Sequence, residues 1–240
     1  MKNNDLNNEY LDLDIVNKEL MNLSSLEIIE WGFNKFGNKL AFTTSFGIQS
    51  SVLLHQIQNS ALKNKVKIFW MDTGYLPEET YKYAKQLIDL LSLNIEVLQS
   101  ELSPAHMEAI YGKLWESKDP QDLDFYHKLR KVKPLEKALE KYSVTCWGSG
   151  VRAQQTNNRN NMRFIDFIRN RLSIRPLLGW TNKEIYYYME KENLPQHPLF
   201  YKGYSTVGDW HSSSPESQLN QGRNTRFGGL KEECGLHTNT

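Results

Sequence analysis

KLAFTTSFGIQSSVLLH, residues 39–55, decides how the rest of the chain is read. It opens on an apolar, β-leaning run (Leu40, Ala41, Phe42), passes through Thr43-Thr44-Ser45-Phe46-Gly47, and continues into Ile48–His55 with helical apolar spacing. That order predicts a strand, a tight hydroxyl-rich turn and a helix start. Amide groups at such a helix N-terminus have no intrahelical acceptor, and the helix dipole favours an anion there. Thr44, Ser45, Ser50 and Ser51 add hydroxyl donors, and Gly47 lets a phosphate approach the backbone. Many strand–helix turns carry Ser and Gly without binding anything, so neighbouring segments must decide the matter.

They point the same way. VKIFWM (66–71) is a near-continuous apolar run, as expected of a strand covered on both faces, and it ends in Asp72-Thr73-Gly74. Pro77 opens a helix through Leu91, Ile95–Leu98 is a third strand, and Val144–Trp147 a fourth, followed by Gly148-Ser149-Gly150-Val151-Arg152. Upstream, residues 11–23 and 25–36 read as helices, with Ser25 as a cap and Gly37 as a stop. Pro104–Trp115 reads as helix and 120–126 as a polar connection. Arg130-Lys131-Val132-Lys133-Pro134-Leu135 precedes a helix ending near Tyr142. Phe164–Ile168 and Leu172–Ile174 fit a hairpin or a fifth strand, and Thr181 caps a helix through Glu192. Strands alternating with helices imply βαβ units and a mainly parallel α/β sheet. Ligands of such sheets sit beyond the carboxyl ends of the strands. The turns at 43–50, 72–75 and 148–152 are therefore expected to meet at one edge. From Leu194 the chain is rich in Pro, Gly and Ser without a clear period, which divides it into an α/β domain (1–193) and a tail (194–240).

Composition narrows the function classes. The 240 residues suit one α/β domain with a small appendage, and a net charge of +1 gives no bulk case for nucleic acid or membrane binding. No run reaches transmembrane length, and MKNNDLNNEYLDLD lacks the basic start and apolar core of a secretory signal. The two cysteines, Cys146 and Cys234, form neither a disulfide framework nor a cysteine-ligated zinc site, so no metal is expected and a cytoplasmic location is. Cys146, inside the apolar VTCWG, reads as a core filler; Cys234 stands between Glu233 and Gly235 in a polar tail, a poor place for one.

TTSFGIQSSVLLH, WMDTGYLPEETY, RKVKPL, GSGVRAQQTNNR, RPLLGWTNKEIYYYM, LPQHPLFYKGYSTVGD and GRNTRFGGLKEECGLH fall in this order from Thr43 to His237. Together they resemble the phosphoadenosine-phosphosulfate (PAPS) reductase family, with the closing ECGLH the most specific block. The resemblance implies an adenine nucleotide α-hydrolase-like fold with a mobile C-terminal tail. It also implies reduction of PAPS to sulfite and adenosine 3′,5′-bisphosphate. Cys234 is then the nucleophile, left as an S-sulfonate that reduced thioredoxin, or glutaredoxin in its place, discharges. No cofactor is bound and a homodimer is implied. ATP-cleaving members of that fold carry a Ser-Gly-Gly-x-Asp-Ser loop. Here Ser45-Phe46-Gly47-Ile48-Gln49-Ser50 puts Phe for a Gly and Gln for the Asp, which is expected to narrow the loop and remove a metal-directed carboxylate. An ATP-pyrophosphatase-type adenylyltransferase is disfavoured accordingly.

Relatives with an iron–sulfur cluster carry Cys-Cys before the RKV block and Cys-x-x-Cys after Tyr-x-x-x-Gly. This chain has Tyr126-His127, and Asp209 and Ser212, in those places. The resemblance is thus to the cluster-free branch, with a cluster-free adenylyl-sulfate reductase as the alternative. Glu232 and Glu233 should raise the Cys234 pKa, so Arg223, Arg226, Lys231 and His237 are expected to compensate. His237 is a candidate hydrogen-bond partner of the thiolate. Arg130, Lys131, Gly150 and Arg152 lie in the family's blocks at strand–helix junctions and are expected to bind sulfate or phosphate. Asp72 either serves the ribose or adenine edge or caps the next helix.

Overall fold

The computed structural model describes residues 11–230 together with 233, 235 and 236. Six strands form one sheet in the order β3-β2-β1-β4-β6-β5. They are β1 (Leu40–Thr44), β2 (Lys67–Met71), β3 (Ile95–Leu98), β4 (Cys146–Gly148), β5 (Ile165–Ile168) and β6 (Arg171–Ile174). All neighbours pair in parallel except β5 with β6. That pair is a hairpin turning at Arg169 and Asn170, both at positive φ (51° and 59°), as a two-residue primed turn requires. The sheet is the mainly parallel α/β architecture expected.

The strand pattern explains the layers. Successive strand residues point to opposite faces. In β1, Leu40 and Phe42 join one apolar cluster and Ala41 the other; in β2, Ile68 and Trp70 join the first, Phe69 and Met71 the second. Helices α2 (Ser25–Phe36), α3 (Ser51–Asn59), α4 (Glu78–Leu91) and α9 (Asn182–Lys191) send Ile29, Leu54, Leu87 and Ile185 into the first cluster. Helix α7 (Lys133–Lys141) closes the other face with Leu135 and Leu139. The remaining helices are α1 (Leu13–Leu20), α5 (Pro104–Tyr111), α6 (Pro120–His127) and the single turn α8 (Asn157–Asn160). Gly148 ends β4 so close to Phe42 that a Cβ there would stand 2.3 Å from the ring. No helix of the described residues is long and apolar enough to cross a membrane.

Four local expectations are corrected. The connection at 120–126 is α6: Asp119 caps it by accepting from Gln121 N, and Pro120 takes the first helical position, where a missing N–H costs nothing. Arg130 and Lys131 precede α7 as expected, but from a π-helical turn, Lys128–Val132, that joins it to α6, and not from a strand–helix junction. Ser24, not Ser25, caps α2, in a reciprocal capping box with Glu27. The segment after Leu194 contains 3₁₀ turns at Pro198–Lys202, Trp210–Ser212 and Gly222–Gly229. It packs Leu199 and Val207 against Ile48, so its described part is docked on the domain rather than trailing from it.

Candidate active site

Strand order reverses direction between β1 and β4, and there a cavity of about 190 Å³ opens. A crevice at this place is where open α/β sheets bind ligands. Thr43, Thr44, Ser45, Gly47 and Ser50 line it from the end of β1 and the turn after it; Ser149, Gly150, Arg152, Gln155 and Arg159 line it from the chain after β4. Met71 contributes from the end of β2, and Ser205, Val207, Arg223 and Leu236 come from the C-terminal segment. The turn is held open by its own bonds: Phe46 N donates to Thr44 Oγ1 (3.2 Å) and Ser50 Oγ to Gly47 O (2.8 Å). Phe46 sits at φ 46°, a left-handed conformation ordinarily left to Gly. Its ring is fully buried edge-on against Trp70, centroids 4.9 Å apart, and does not line the cavity. The Phe therefore anchors the turn in the core instead of narrowing it.

The electrostatics of the cavity are one-sided. Among the described residues no Asp or Glu lines it, while Arg152, Arg159 and Arg223 do. Arg152 is 3% exposed and gives Nη2 to Asn182 Oδ1 (2.7 Å), yet its Nε has no acceptor. Burial pushes its guanidinium down to about 10, and Arg159 nearby adds to the effect. A buried cation with an open donor is costly by itself, and an anion seated beside it offsets that cost. Arg159 differs: Nε and Nη2 reach Glu233 Oε1 and Oε2 at 2.7 and 2.6 Å. An apolar wall of Ile48, Leu53, Val151 and Val207 completes the cavity, so it can hold a flat, apolar-faced group with an anionic end.

Beside the cavity lies a second polar centre. Asp209, fully buried, accepts from Thr73 Oγ1 (2.5 Å), Tyr126 OH (3.0 Å) and Lys131 Nζ (3.0 Å). Burial alone would raise its carboxyl, but Lys131, Thr73 and Arg226 hold it well below the usual carboxylate range. Arg130 donates Nε to Thr73 O (2.8 Å), and Arg226 donates to Ser212 through Nε and Nη2 (3.1 and 2.8 Å). A Cβ on Gly208 would stand 2.1 Å from the Arg226 guanidinium, which explains the glycine there.

Residues 39–215 match the family described as "Phosphoadenosine phosphosulfate reductase domain". The chain belongs to this family. It is 48% identical over 223 residues to a phosphoadenosine 5′-phosphosulfate reductase of Synechococcus sp., covering 92% of this chain and 95% of that one. The crystal structure of the PAPS reductase of Candida auris, a phosphate complex, superposes with a TM-score of 0.73 at 26% identity, covering 84% of this chain and 96% of that chain. The FMN adenylyltransferase of Candida glabrata in complex with ATP shares the fold, with a TM-score of 0.60 at 16% identity over 92% of this chain and 70% of that one.

Within this PAPS reductase domain the predicted residues separate into groups. Thr44, Ser45, Gly47, Ser50, Gly150, Arg152 and Arg223 line the cavity. Ser51 is buried at the start of α3, away from the lining. Asp72 accepts from Tyr81 OH (2.6 Å), Gly74 N (2.9 Å) and Gln99 Nε2 (2.8 Å), fastening the turn after β2. Arg130, Lys131 and Arg226 belong to the Asp209 centre, so the turn at 72–75 joins that centre and only Met71 of β2 reaches the cavity. Cys234, His237 and Lys231 lie outside the described residues. Arg159 and Gln155 are lining residues that sequence reading passed over; their signal was membership of the same post-β4 block as Arg152. Cys146 is fully buried, and burial pushes its thiol far up.

Proposed function

We propose that this chain reduces 3′-phosphoadenylyl sulfate to sulfite and adenosine 3′,5′-bisphosphate, with reduced thioredoxin as the electron donor. The observation that carries the reading is Arg152, a buried guanidinium with an open Nε in a cavity that no Asp or Glu of the described residues lines. Family membership supports the substrate class. The adenine packs on the apolar wall, and the anionic groups take Arg152, Arg223 and the hydroxyls of Thr44, Ser45 and Ser50.

The Cys234 thiolate attacks the sulfur of the sulfonyl group. The bond from that sulfur to the phosphate oxygen breaks, and the nucleotide leaves with the electron pair. A thioredoxin thiolate then attacks the Cys234 sulfur, releasing sulfite with two electrons and forming a mixed disulfide. Its second thiol resolves that bond, returning Cys234 reduced and thioredoxin oxidised. His237 and Lys231 assist the thiolate, while Arg130, Lys131 and Arg226 hold the segment that faces the substrate. The tail 194–240 works as the covering part of a two-part enzyme, which acts in the cytoplasm as a homodimer. No bound cofactor enters this scheme.

Sulfite release measured with PAPS and with adenylyl sulfate, each with and without reduced thioredoxin, tests the proposal. Turnover is expected with PAPS and thioredoxin together, with a higher specificity constant than adenylyl sulfate. Equal constants would favour the adenylyl-sulfate reading, and no sulfite from either would reject both.

A further inference from the structure

Glu233 immediately precedes Cys234 in the chain, and on the function proposed above its charge opposes formation of the thiolate. The geometry gives that charge another use. Glu233 is engaged by one guanidinium edge of Arg159, Nε and Nη2, at 2.7 and 2.6 Å, in the two-point geometry that makes such pairs strong. Thr156 Oγ1 donates to the same carboxylate at 3.0 Å, and Arg223 stands 3.9 Å away. The two side chains are 5% and 10% exposed, so water screens the pair little. Burial on its own would raise the Glu233 carboxyl, but the bonds and charge of Arg159, with Arg223 and Thr156, more than offset it and keep it ionised.

The receiving side is built for this. Thr156 caps the single-turn helix α8 by accepting from Arg159 N at 3.2 Å, which places hydroxyl and guanidinium side by side. Gln155 Oε1 accepts from both Arg159 Nη1 and the Arg152 amide (3.1 Å), so the docking point and the open cation share one bridge. Two further contacts fix the same stretch of chain. Arg169 Nη2 donates to Gly235 O at 2.5 Å, and Leu236, 6% exposed, joins the apolar cluster of Trp147 and Val132 while lining the cavity. Residues on both sides of the cysteine are therefore anchored to the post-β4 and β5–β6 chain.

We propose that Glu233 is a positioning residue for the reaction: docked on Arg159 and Thr156, it seats the reactive segment at the cavity. The pairing neutralises Arg159, while the open Nε of Arg152 faces the substrate anion. It also ties up the carboxylate next to the nucleophile, so the charge that sequence alone sets against reactivity is spent on Arg159. The role rests on Cys234 being the nucleophile.

Single-turnover sulfonation of Cys234 by PAPS, without thioredoxin and followed by mass, tests it. Glu233→Gln is expected to slow sulfonation by about ten- to a hundredfold, the range for losing a charge-assisted buried contact. Glu233→Asp should recover part of the rate. The affinity for adenosine 3′,5′-bisphosphate should not weaken, since Arg159 is freed beside the cavity, and discharge by thioredoxin should be unslowed, whereas a general structural defect would weaken or slow all three. Because the two residues act through each other, Glu233→Gln combined with Arg159→Gln should be no slower than the worse single variant. Sulfonation of Glu233→Gln at the wild-type rate, or fully additive losses in the double variant, would overturn the proposal. Wild-type protein that gains no label on Cys234 would overturn the function assigned above, and the role of Glu233 with it.

Discussion

Lys131 Nζ stands 3.0 Å from Asp209 Oδ2, with the carboxylate side chain wholly shut off from water and that of the lysine 10% exposed. The pair joins the π-helical turn between α6 and α7 to the segment that supplies Ser205 and Val207 to the cavity wall. Asp209→Ala would strand the buried lysine and leave the Thr73 and Tyr126 hydroxyls without their acceptor. A loss of about 3–5 kcal/mol in denaturant unfolding is expected. Adding Lys131→Met should return a large part of it. A single variant within about 0.5 kcal/mol of wild type would show that the pair does not fasten this segment.

Two buried imidazoles set the response to acid. Burial pushes His197 and His211 down to about 4. His197 Nδ1 already accepts from Leu199 N (3.1 Å), so it has no room for a second proton. Between an ordinary histidine pKa of about 6.5 and 4, the unfolded chain binds protons that the folded chain refuses, so stability falls with pH through that window. Each site contributes on the order of 2 kcal/mol. Below it, Asp209, held down by Lys131 once burial is overcome, continues the loss as the unfolded carboxyl protonates. Urea midpoints at pH 7 and pH 5 check this: a fall is expected, and His211→Gln should reduce it. A midpoint unchanged between the two would contradict it.

Arg152 invites a prediction of opposite signs. Its charge is desolvated, and among the described residues no carboxylate lines the cavity around it. Arg152→Met should therefore unfold at a higher denaturant concentration, by about 0.5–2 kcal/mol, while weakening binding of adenosine 3′,5′-bisphosphate by about a hundredfold. Isothermal titration and denaturant melts on the same preparation decide it. Unchanged affinity would remove Arg152 from the site.

The fold was legible because the buried strands are written as apolar runs closed by polar turns: FTTSFG after β1, FWMDTG after β2, CWGSG after β4. Local punctuation marks those elements without reference to any tertiary contact. Helix α6 escaped because PQDLDFYH has a polar surface, although Asp119-Pro120 is a sound start signal. The site was legible where cavity residues follow strands directly, as Ser45, Gly47 and Arg152 do. It was opaque where partners lie far apart in sequence. Lys131 meets Asp209 across 78 positions and Arg159 meets Glu233 across 74, and no local pattern marks either pairing. Phe46 misled for a different reason. A large side chain in a glycine-like turn suggests obstruction, and only its ring packing on Trp70 shows it turned into the core.

On the function proposed, Cys234, and not the buried Cys146, takes the sulfonate. Intact protein incubated with PAPS in the absence of thioredoxin, then digested and mapped by mass, tests it most directly. The peptide containing Cys234 should gain the mass of one SO₃ group and lose it when reduced thioredoxin is added, while Cys234→Ser gains none and Cys146→Ser gains it normally. A label on the Cys146 peptide, or sulfite release by Cys234→Ser, would contradict the account.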